Sequence, residues 1–478
     1  MTERFLYQQA PVPYELAPER NPEAYSLDAQ KNQTRCSHLT ANFFKDSVTR
    51  ARERNLRHTE MEQKLSEADQ MPGDTSTLRR YQIWQSAGKC ESRYLRFLRT
   101  KYRPENYSTI KVIGKGGYGR VTLVRKTDGR VYAMKSLVKS EMFSRGQLAH
   151  IRAERDILAE CDSPWVVKMY ITFQDAKSLY MLMEFLPGGD LMGLLIKCGT
   201  FSEATTRFYM AELVLAIEVV YKLGFIHRDI KPDNILLDRW GHLKLTDFRL
   251  FTGFHELHEN SYYQQLLQGK SNRPRDSTAI DEINLTMSNR AQIDDWRHSR
   301  RLMAYSAVGT LNYVAPEVSD GYGYSFDCDW WSLGAIMFEC LIGWPPFAAY
   351  SREETYLKIM NWRYTLYFPD DRRLGHEAEH LIRNLICNTE NRLGRLDGVH
   401  EIKTHSFFRD VNFDYLRYRQ APFQPCLTSN DDTAYFPTEE FDQTNTAQAT
   451  ASGQQSEELD ISLPFLGYTF KRFDTSFR

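Results

Sequence analysis

The spacing of apolar positions changes along the chain, and the changes divide it. From Phe43 to Leu65, strong helix formers carry Phe44, Val48 and Ala51 on one face. Lys45, Arg50, Arg52, Arg54 and Arg57 surround them, the pattern of a basic helix. Pro72-Gly73-Asp74 breaks that pattern, and a second helical period returns around Tyr94, Leu95, Phe97 and Leu98. The period then falls to two. VTLVRK and VYAMKSL are strand-like runs joined by Thr127-Asp128-Gly129, which predicts a hairpin. From about Leu191 to His405 long helical patterns alternate with short strands, and beyond His405 the chain becomes Pro- and Phe-rich with a polar stretch near 443–457. Residues 1–40 are rich in Gln, Asn, Pro and charge without an apolar period, so a mobile arm is expected there.

Composition narrows what this series of elements serves. A chain of 478 residues is too long for one small core and suits a two-lobed domain with segments at either end. With 61 Lys and Arg against 62 Asp and Glu, no global charge favours nucleic acid or a membrane surface, and charged contacts must be local. The richest apolar run, WWSLGAIMFECLIGW, is short and interrupted by Glu339, and the first twenty residues lack a basic-then-apolar leader pattern. No membrane span is expected. The eight cysteines form no CxxC pair and no zinc spacing, which predicts reduced thiols in a cytoplasmic or nuclear compartment.

The candidate chemistry begins at Gly114-Lys115-Gly116-Gly117-Tyr118-Gly119 with Val121, where positions without side chains let backbone amides close over phosphates. The same glycines would serve a dinucleotide-binding turn. The sequel decides: Ala133-Met134-Lys135 falls on the third strand, where the ammonium can reach α- and β-phosphates, and no acidic ribose ligand stands at the dinucleotide spacing. Glu154 shares a helix face with Leu148, Ile151 and Leu158, so it points inward and needs a cation, for which Lys135 is the candidate. His227-Arg228-Asp229-Ile230-Lys231-Pro232-Asp233-Asn234 is the most specific segment. Asp229 can orient a hydroxyl and accept its proton, Lys231 can offset charge on a transferred phosphoryl, and Asn234 can hold a magnesium ion. Asp247, after the strand-like HLKLT, supplies a carboxylate, and the two make a hard-oxygen site suited to magnesium.

In this order the residues resemble the protein kinase family from about Tyr107 to the C-terminus. The resemblance implies an α+β, two-lobed fold: a small antiparallel-β lobe with one main helix, a larger mostly helical lobe, and ATP with Mg2+ between them. Gly309-Thr310, Ala315-Pro316-Glu317, Asp329-Trp330-Trp331 and Arg392 look like large-lobe landmarks, with Glu317 and Arg392 as a buried pair. By the same resemblance Met183-Glu184-Phe185-Leu186 is the hinge that receives adenine and Asp190 contacts ribose. Ala133 and Leu236 join the nucleotide contacts, and Asp190 with Asp233 lines a cleft for substrates with basic residues before the phosphoacceptor.

Three further features are similar to the NDR/LATS branch of the AGC kinases: the basic helix, a long segment between Asp247 and Glu317 containing Arg297-His298-Ser299-Arg300-Arg301, and Phe465-Leu466-Gly467-Tyr468-Thr469-Phe470 near the end. The domains implied are an arm over 1–40, an N-terminal helical regulatory region over 41–100, a catalytic domain over 107–408 and a C-terminal extension with a hydrophobic motif over 409–478. An autoinhibitory insert is implied at about 252–300. The branch implies a Mob-type coactivator on the N-terminal helices, helped by Arg79, Arg80 and Arg93. It also implies phosphorylation at Ser306 and, by an upstream kinase, at Thr469, with a role in morphogenesis and polarised growth. A phosphate on Ser306 would find Arg228 beside Asp229. Two departures stand out: Arg249 replaces the glycine of Asp-Phe-Gly, and Leu311-Asn312 replaces a Pro-Asp pair. Arg249 supports an alternative, a pseudokinase scaffold for a Mob-type partner.

Overall fold

A computed structural model describes residues 25–70, 74–116, 119–144, 148–248, 311–320, 326–349, 351–437, 465 and 467–473. Gly117, Arg249, Ser306 and the insert at about 252–300 lie outside them. The chain divides into two compact units, one up to Arg93 and the other from Tyr94 onward.

The first unit is helical. Helix α1 (Leu27–Asp69) starts well before the apolar pattern at Phe43, which corrects the boundary expected for an arm over 1–40. Its start is set by Ser26, whose hydroxyl accepts the Ala29 N–H at 3.3 Å and satisfies one of the donors that a helix start leaves open. Helix α2 (Asp74–Arg99) follows the Pro72-Gly73 break, and its last six residues, from Tyr94, belong to the second unit. Within the first unit Arg57 forms a two-pronged pair with Glu91 (3.0 and 3.2 Å) and Arg80 another with Asp69 (2.5 Å). Phe43, Phe44, Val48 and Leu56 are exposed.

The second unit opens with an antiparallel sheet of β1 (Tyr107–Gly116), β2 (Gly119–Lys126), β3 (Val131–Val138), β4 (Met169–Gln174) and β5 (Ser178–Met183). Helix α3 (Lys139–Ser144) and α4 (Leu148–Glu160) lie between β3 and β4. The expected β2–β3 hairpin is present, and Gly129 takes φ 83° in its turn, a conformation that a Cβ disfavours. The strand order β1-β2-β3-β5-β4-β8 adds an unforeseen sixth member: β8 (Phe470–Lys471), from the tail, pairs with the edge strand β4. Closing that edge removes a row of unpaired backbone groups.

The large lobe begins with α5 (Leu191–Cys198) and α6 (Glu203–Lys222), followed by the short hairpin β6 (Ile235–Leu237) and β7 (Leu243–Leu245). The apolar run flagged in the sequence becomes the helix Cys328–Ile342, buried along its whole length, including Glu339. Glu339 is tolerated because it accepts the Tyr313 hydroxyl at 2.6 Å. A Cβ on Gly334 would come within 2.9 Å of Leu385 and Ile386, so the helix His376–Leu385 can pack only against a glycine there. Arg392, fully buried, donates to both Glu317 oxygens and lies over the Trp331 ring. Leu311 and Asn312, the replaced pair, are both buried. Among the described residues no helix is long and apolar enough to cross a membrane.

Candidate active site

The site is assembled from groups on strands and loops that the fold holds by main-chain bonds. Lys135, in mid-β3, pairs with Val121 of β2 and Met181 of β5, so its backbone is fixed on both sides. Its ammonium donates to Glu154 Oε1 at 2.7 Å and to Asp247 Oδ1. Burial alone would pull the Lys135 pKa down, but Asp247 and Glu154 outweigh it and hold the group above the ordinary lysine range. Glu154 is itself buried on α4 beside Ile151 and Leu158, as its position on the helix face requires.

The loop between α6 and β6 is fixed by one anion. Asp329, on the helix Cys328–Ile342, accepts the backbone N–H of His227 on Oδ2 (2.9 Å) and that of Arg228 on Oδ1 (2.8 Å). This grip holds Arg228 at φ 67°, a conformation disfavoured for a residue with a Cβ. His227 stays neutral: burial lowers its pKa, and its Nε2 faces the Thr246 carbonyl at 3.1 Å. Within the loop Asn234 Nδ2 donates to the Asp229 carbonyl (2.8 Å) and to Asp229 Oδ2 (3.0 Å), and Lys231 Nζ lies 3.8 Å from the same carboxylate. Asp229 is thus buried and held from two sides. Asp247, at φ 58°, is the second strained residue, and its side chain is about one-third exposed.

Magnesium chemistry fits the donors present. Turning its amide nitrogen to Asp229 puts the Asn234 carbonyl oxygen on the other side of the amide, and Asp247 offers a carboxylate. Among the described residues there is no group of three or more His, Cys, Asp and Glu side chains able to hold a metal. Two hard oxygen donors suit an ion that takes its remaining ligands from phosphates and water, not a zinc-type centre.

An apolar wall lies beside these groups. Ile113, Leu123 and Ala133 form a buried cluster with Val121, Phe185 and Phe436 packed on it. The segment Tyr435-Phe436-Pro437-Thr438-Glu439-Glu440 resembles the branch in sequence, but nothing in it tells that Phe436 lies beside the hinge. Phe436 comes from the tail and stacks on Phe185 of the hinge, ring centroids 5.7 Å apart. The tail passes so close that a Cβ on Gly189 would meet the Tyr435 carbonyl at 2.6 Å. The available signal was an aromatic pair before Pro437 in an otherwise polar stretch. Of the loop glycines, Gly114 faces Val121, while Gly119 has a packing reason of its own: its Cβ would lie 2.0 Å from the Ser136 carbonyl. The two ends of Gly114–Gly119 are therefore fixed by strand pairing, with Gly116 opposite Gly119.

At the hinge Met183 is buried, and Glu184 uses its backbone N–H on the Lys168 carbonyl at 2.9 Å; Phe185 and Leu186 continue the segment. Asp190 caps α5 by accepting the Gly193 N–H at 2.6 Å and bridges to Leu236 of β6. Asp233 keeps part of its surface open, but its carboxyl is enclosed by the surrounding chain. Burial first, and then Asp190, push its carboxyl up to about 7 against the pull of Lys231. Thr469 stands apart from the cleft-lining groups. It is exposed on the tail, between buried Tyr468 and strand β8, and Phe465 and Tyr468 pack with Leu137, Met142, Ile151 and Leu179. The tail thus touches α4, the helix that carries Glu154.

The protein kinase domain family matches residues 107–267 and 283–408, more than half of the chain. The chain is 66% identical over 492 residues to the serine/threonine-protein kinase cot-1 of Neurospora crassa, covering 99% of this chain and 81% of that protein. It is 53% identical over 440 residues to the serine/threonine-protein kinase CBK1 of Pneumocystis carinii, covering 90% and 85%. It is 50% identical over 481 residues to that of Debaryomyces hansenii, covering 95% and 67%. The scaffold reading built on Arg249 gains no support from relatives that are named as kinases. The chain therefore belongs to the protein kinase family, in the NDR/LATS branch of its serine/threonine kinases.

Proposed function

We propose that this kinase transfers the γ-phosphate of ATP to serine or threonine hydroxyls in basic sequence contexts, through the residues gathered in the cleft. The observation that carries the reading is the convergence of Lys135, Glu154 and Asp247 from β3, α4 and the strand end after β7. Lys135, held by Glu154, offers its charge to the α- and β-phosphates, and the backbone of Gly114, Gly116, Gly117 and Gly119 closes over them. Adenine packs between Val121, Ala133 and Leu236 and bonds to the hinge. Because the Glu184 N–H is committed to Lys168, the groups left to meet adenine are the Glu184 carbonyl and the Leu186 N–H. Met183 closes the back of the pocket and Asp190 meets the ribose.

Asp229 orients the acceptor hydroxyl and takes its proton as the oxygen attacks, while Lys231 balances charge on the phosphoryl in flight. Asn234 and Asp247 would hold magnesium, whose chemistry here is to neutralise and align the phosphate oxygens. Asp190 and Asp233 supply the negative side of the substrate cleft. Phosphate transfer to a basic serine peptide should be readily measured in the wild-type chain. Asp229→Ala should reduce it by about a thousandfold or more; transfer that survives this substitution would remove Asp229 from the role.

Regulation follows the branch. Phosphorylation of Ser306 and, by an upstream kinase, of Thr469 favours the active arrangement, the segment at about 252–300 opposes it, and a Mob-type coactivator docks on the N-terminal helices. Exposed Arg50, Arg52 and Arg54 suit an acidic partner face. Arg57 and Arg80 do not belong in that set, because Glu91 and Asp69 already hold them. The kinase serves morphogenesis at sites of polarised growth in the cytoplasm.

A further inference from the structure

Glu184 is tied more tightly than a hinge residue needs to be to present its backbone. Its Oε1 accepts the Lys168 N–H at 2.7 Å, while its own N–H donates to the Lys168 carbonyl at 2.9 Å, a reciprocal pair with the residue just before β4. The same Oε1 accepts from Lys244 Nζ at 2.6 Å. Lys244 lies on β7, three residues before Asp247, in the large lobe. Both side chains are largely buried, 11% exposed for Lys244 and 19% for Glu184.

The stretch that receives Glu184 is also anchored to β7. The Val167 N–H donates to the Leu245 carbonyl at 3.0 Å, the Leu245 N–H donates to the Trp165 carbonyl at 2.9 Å, and Val166 bridges Leu245 in parallel. The segment 165–168, the hinge and β7 therefore meet at one point, and the Lys244–Glu184 pair is the side-chain bond that closes it. Lys244 lies outside the nucleotide motifs, and Glu184 enters the hinge motif through its backbone, which leaves the two side chains to be explained.

We propose that Lys244 is a positioning residue for the nucleotide: by pinning Glu184 to β7 it sets where the hinge backbone presents its adenine-binding groups relative to Asp247. The proposal rests on the reading that the hinge receives adenine. A buried carboxylate that loses its cation does not stay in place, because one neutral donor leaves its charge uncompensated. Small displacements of a binding group are then felt as lost affinity.

The test is binding of ADP with magnesium, by calorimetry, to the full chain and its variants, together with steady-state kinetics. Lys244→Met keeps side-chain length without the charge. It should weaken ADP binding and raise KM for ATP roughly tenfold, leave KM for the peptide within about twofold, and be corrected in large part by Lys244→Arg. Glu184→Gln keeps an oxygen for the Lys168 N–H and should show the same loss; it carries the test if Lys244→Met fails to fold. Wild-type ADP affinity in a folded Lys244→Met or Glu184→Gln protein overturns the pin alone. A wild-type chain that binds no ADP overturns the hinge reading and the pin with it.

Discussion

The loop 227–234 and the tail segment 467–473 are both short stretches held in place by groups from elsewhere in the chain, and they are held by opposite chemistry. In the loop a buried anion does the holding: Asp329 accepts two backbone N–H groups and so supports a positive φ at Arg228. In the tail the holders are cations that donate to backbone carbonyls. Arg472 reaches the carbonyls of Leu158, Ala159 and Cys161 (2.6, 2.8 and 2.7 Å) at the end of α4, and that of Met169 at 3.1 Å. Lys471 takes those of Leu98 and Thr100, each at 2.7 Å, at the end of α2. Phe473 packs on Tyr94 and Phe97 of the same helix end. Helix C-termini leave four carbonyls open and carry partial negative charge, so a lysine and an arginine in sequence can cap two helices at once. The loop is fixed from within the large lobe. The tail is fixed by the helix ends it joins, and one of them carries Glu154.

The largest effect should come from removing the anion. Asp329→Ala leaves the His227 and Arg228 N–H groups buried without partners, which costs about 2–6 kcal/mol for the two. We expect phosphate transfer to be lost together with a fall in thermal midpoint. Transfer at a tenth of the wild-type rate or better, about 1.4 kcal/mol of barrier or less, would show that the loop keeps its form without Asp329.

The tail should yield less. Arg472→Ala removes the bonds that finish α4 but leaves the Phe465 and Tyr468 packing in place, so α4 should fray at its end without detaching. Transfer should fall about tenfold through kcat, with KM for peptide unchanged. Hydrogen exchange should rise at Leu158–Cys161, and Arg472→Lys should recover part of both. A loss of thermal stability with kcat intact would make Arg472 a structural cap and no more.

This contrast explains what could be read in the sequence. Lys135, Glu154, Asp229, Asn234 and Asp247 were legible because the identity of the side chain is the chemistry, and their order along the chain is the order in which the fold presents them. The partners of Lys471 and Arg472 are main-chain carbonyls, which every residue has, so no residue pattern marks them. The segment holding Phe436 was legible as a resemblance but its place was not, because the ring reaches the apolar wall only after the chain has left the large lobe. The start of α1 escaped because residues 27–42 carry no apolar period, and a hydroxyl cap at Ser26, not burial, begins the helix. Gly119 was legible as a glycine and only partly as to cause, since contact with Ser136 demands it as strongly as any phosphate would.

The smallest predicted effect separates the two regions by pH. The bonds that Arg472 donates run to main-chain carbonyls, which carry no ionisable proton, so the ratio of wild-type to Arg472→Ala kcat should be flat from pH 6 to 8. The loop holds one group that does titrate there. The Asp233 carboxyl is pushed up to about 7, burial first and Asp190 next, against Lys231. Above pH 7 it is mostly ionised and can attract a basic substrate; below pH 7 it is mostly protonated and cannot. KM for a basic peptide should therefore rise as pH falls from 8 to 6, by up to about tenfold if Asp233 carries most of the attraction. Asp190 remains to bind what it can, which limits the change. In Asp233→Asn the KM should be high throughout and nearly independent of pH. A wild-type KM that stays level from pH 8 to 6, or an Asp233→Asn protein that keeps the full pH dependence, would assign the attraction to another group.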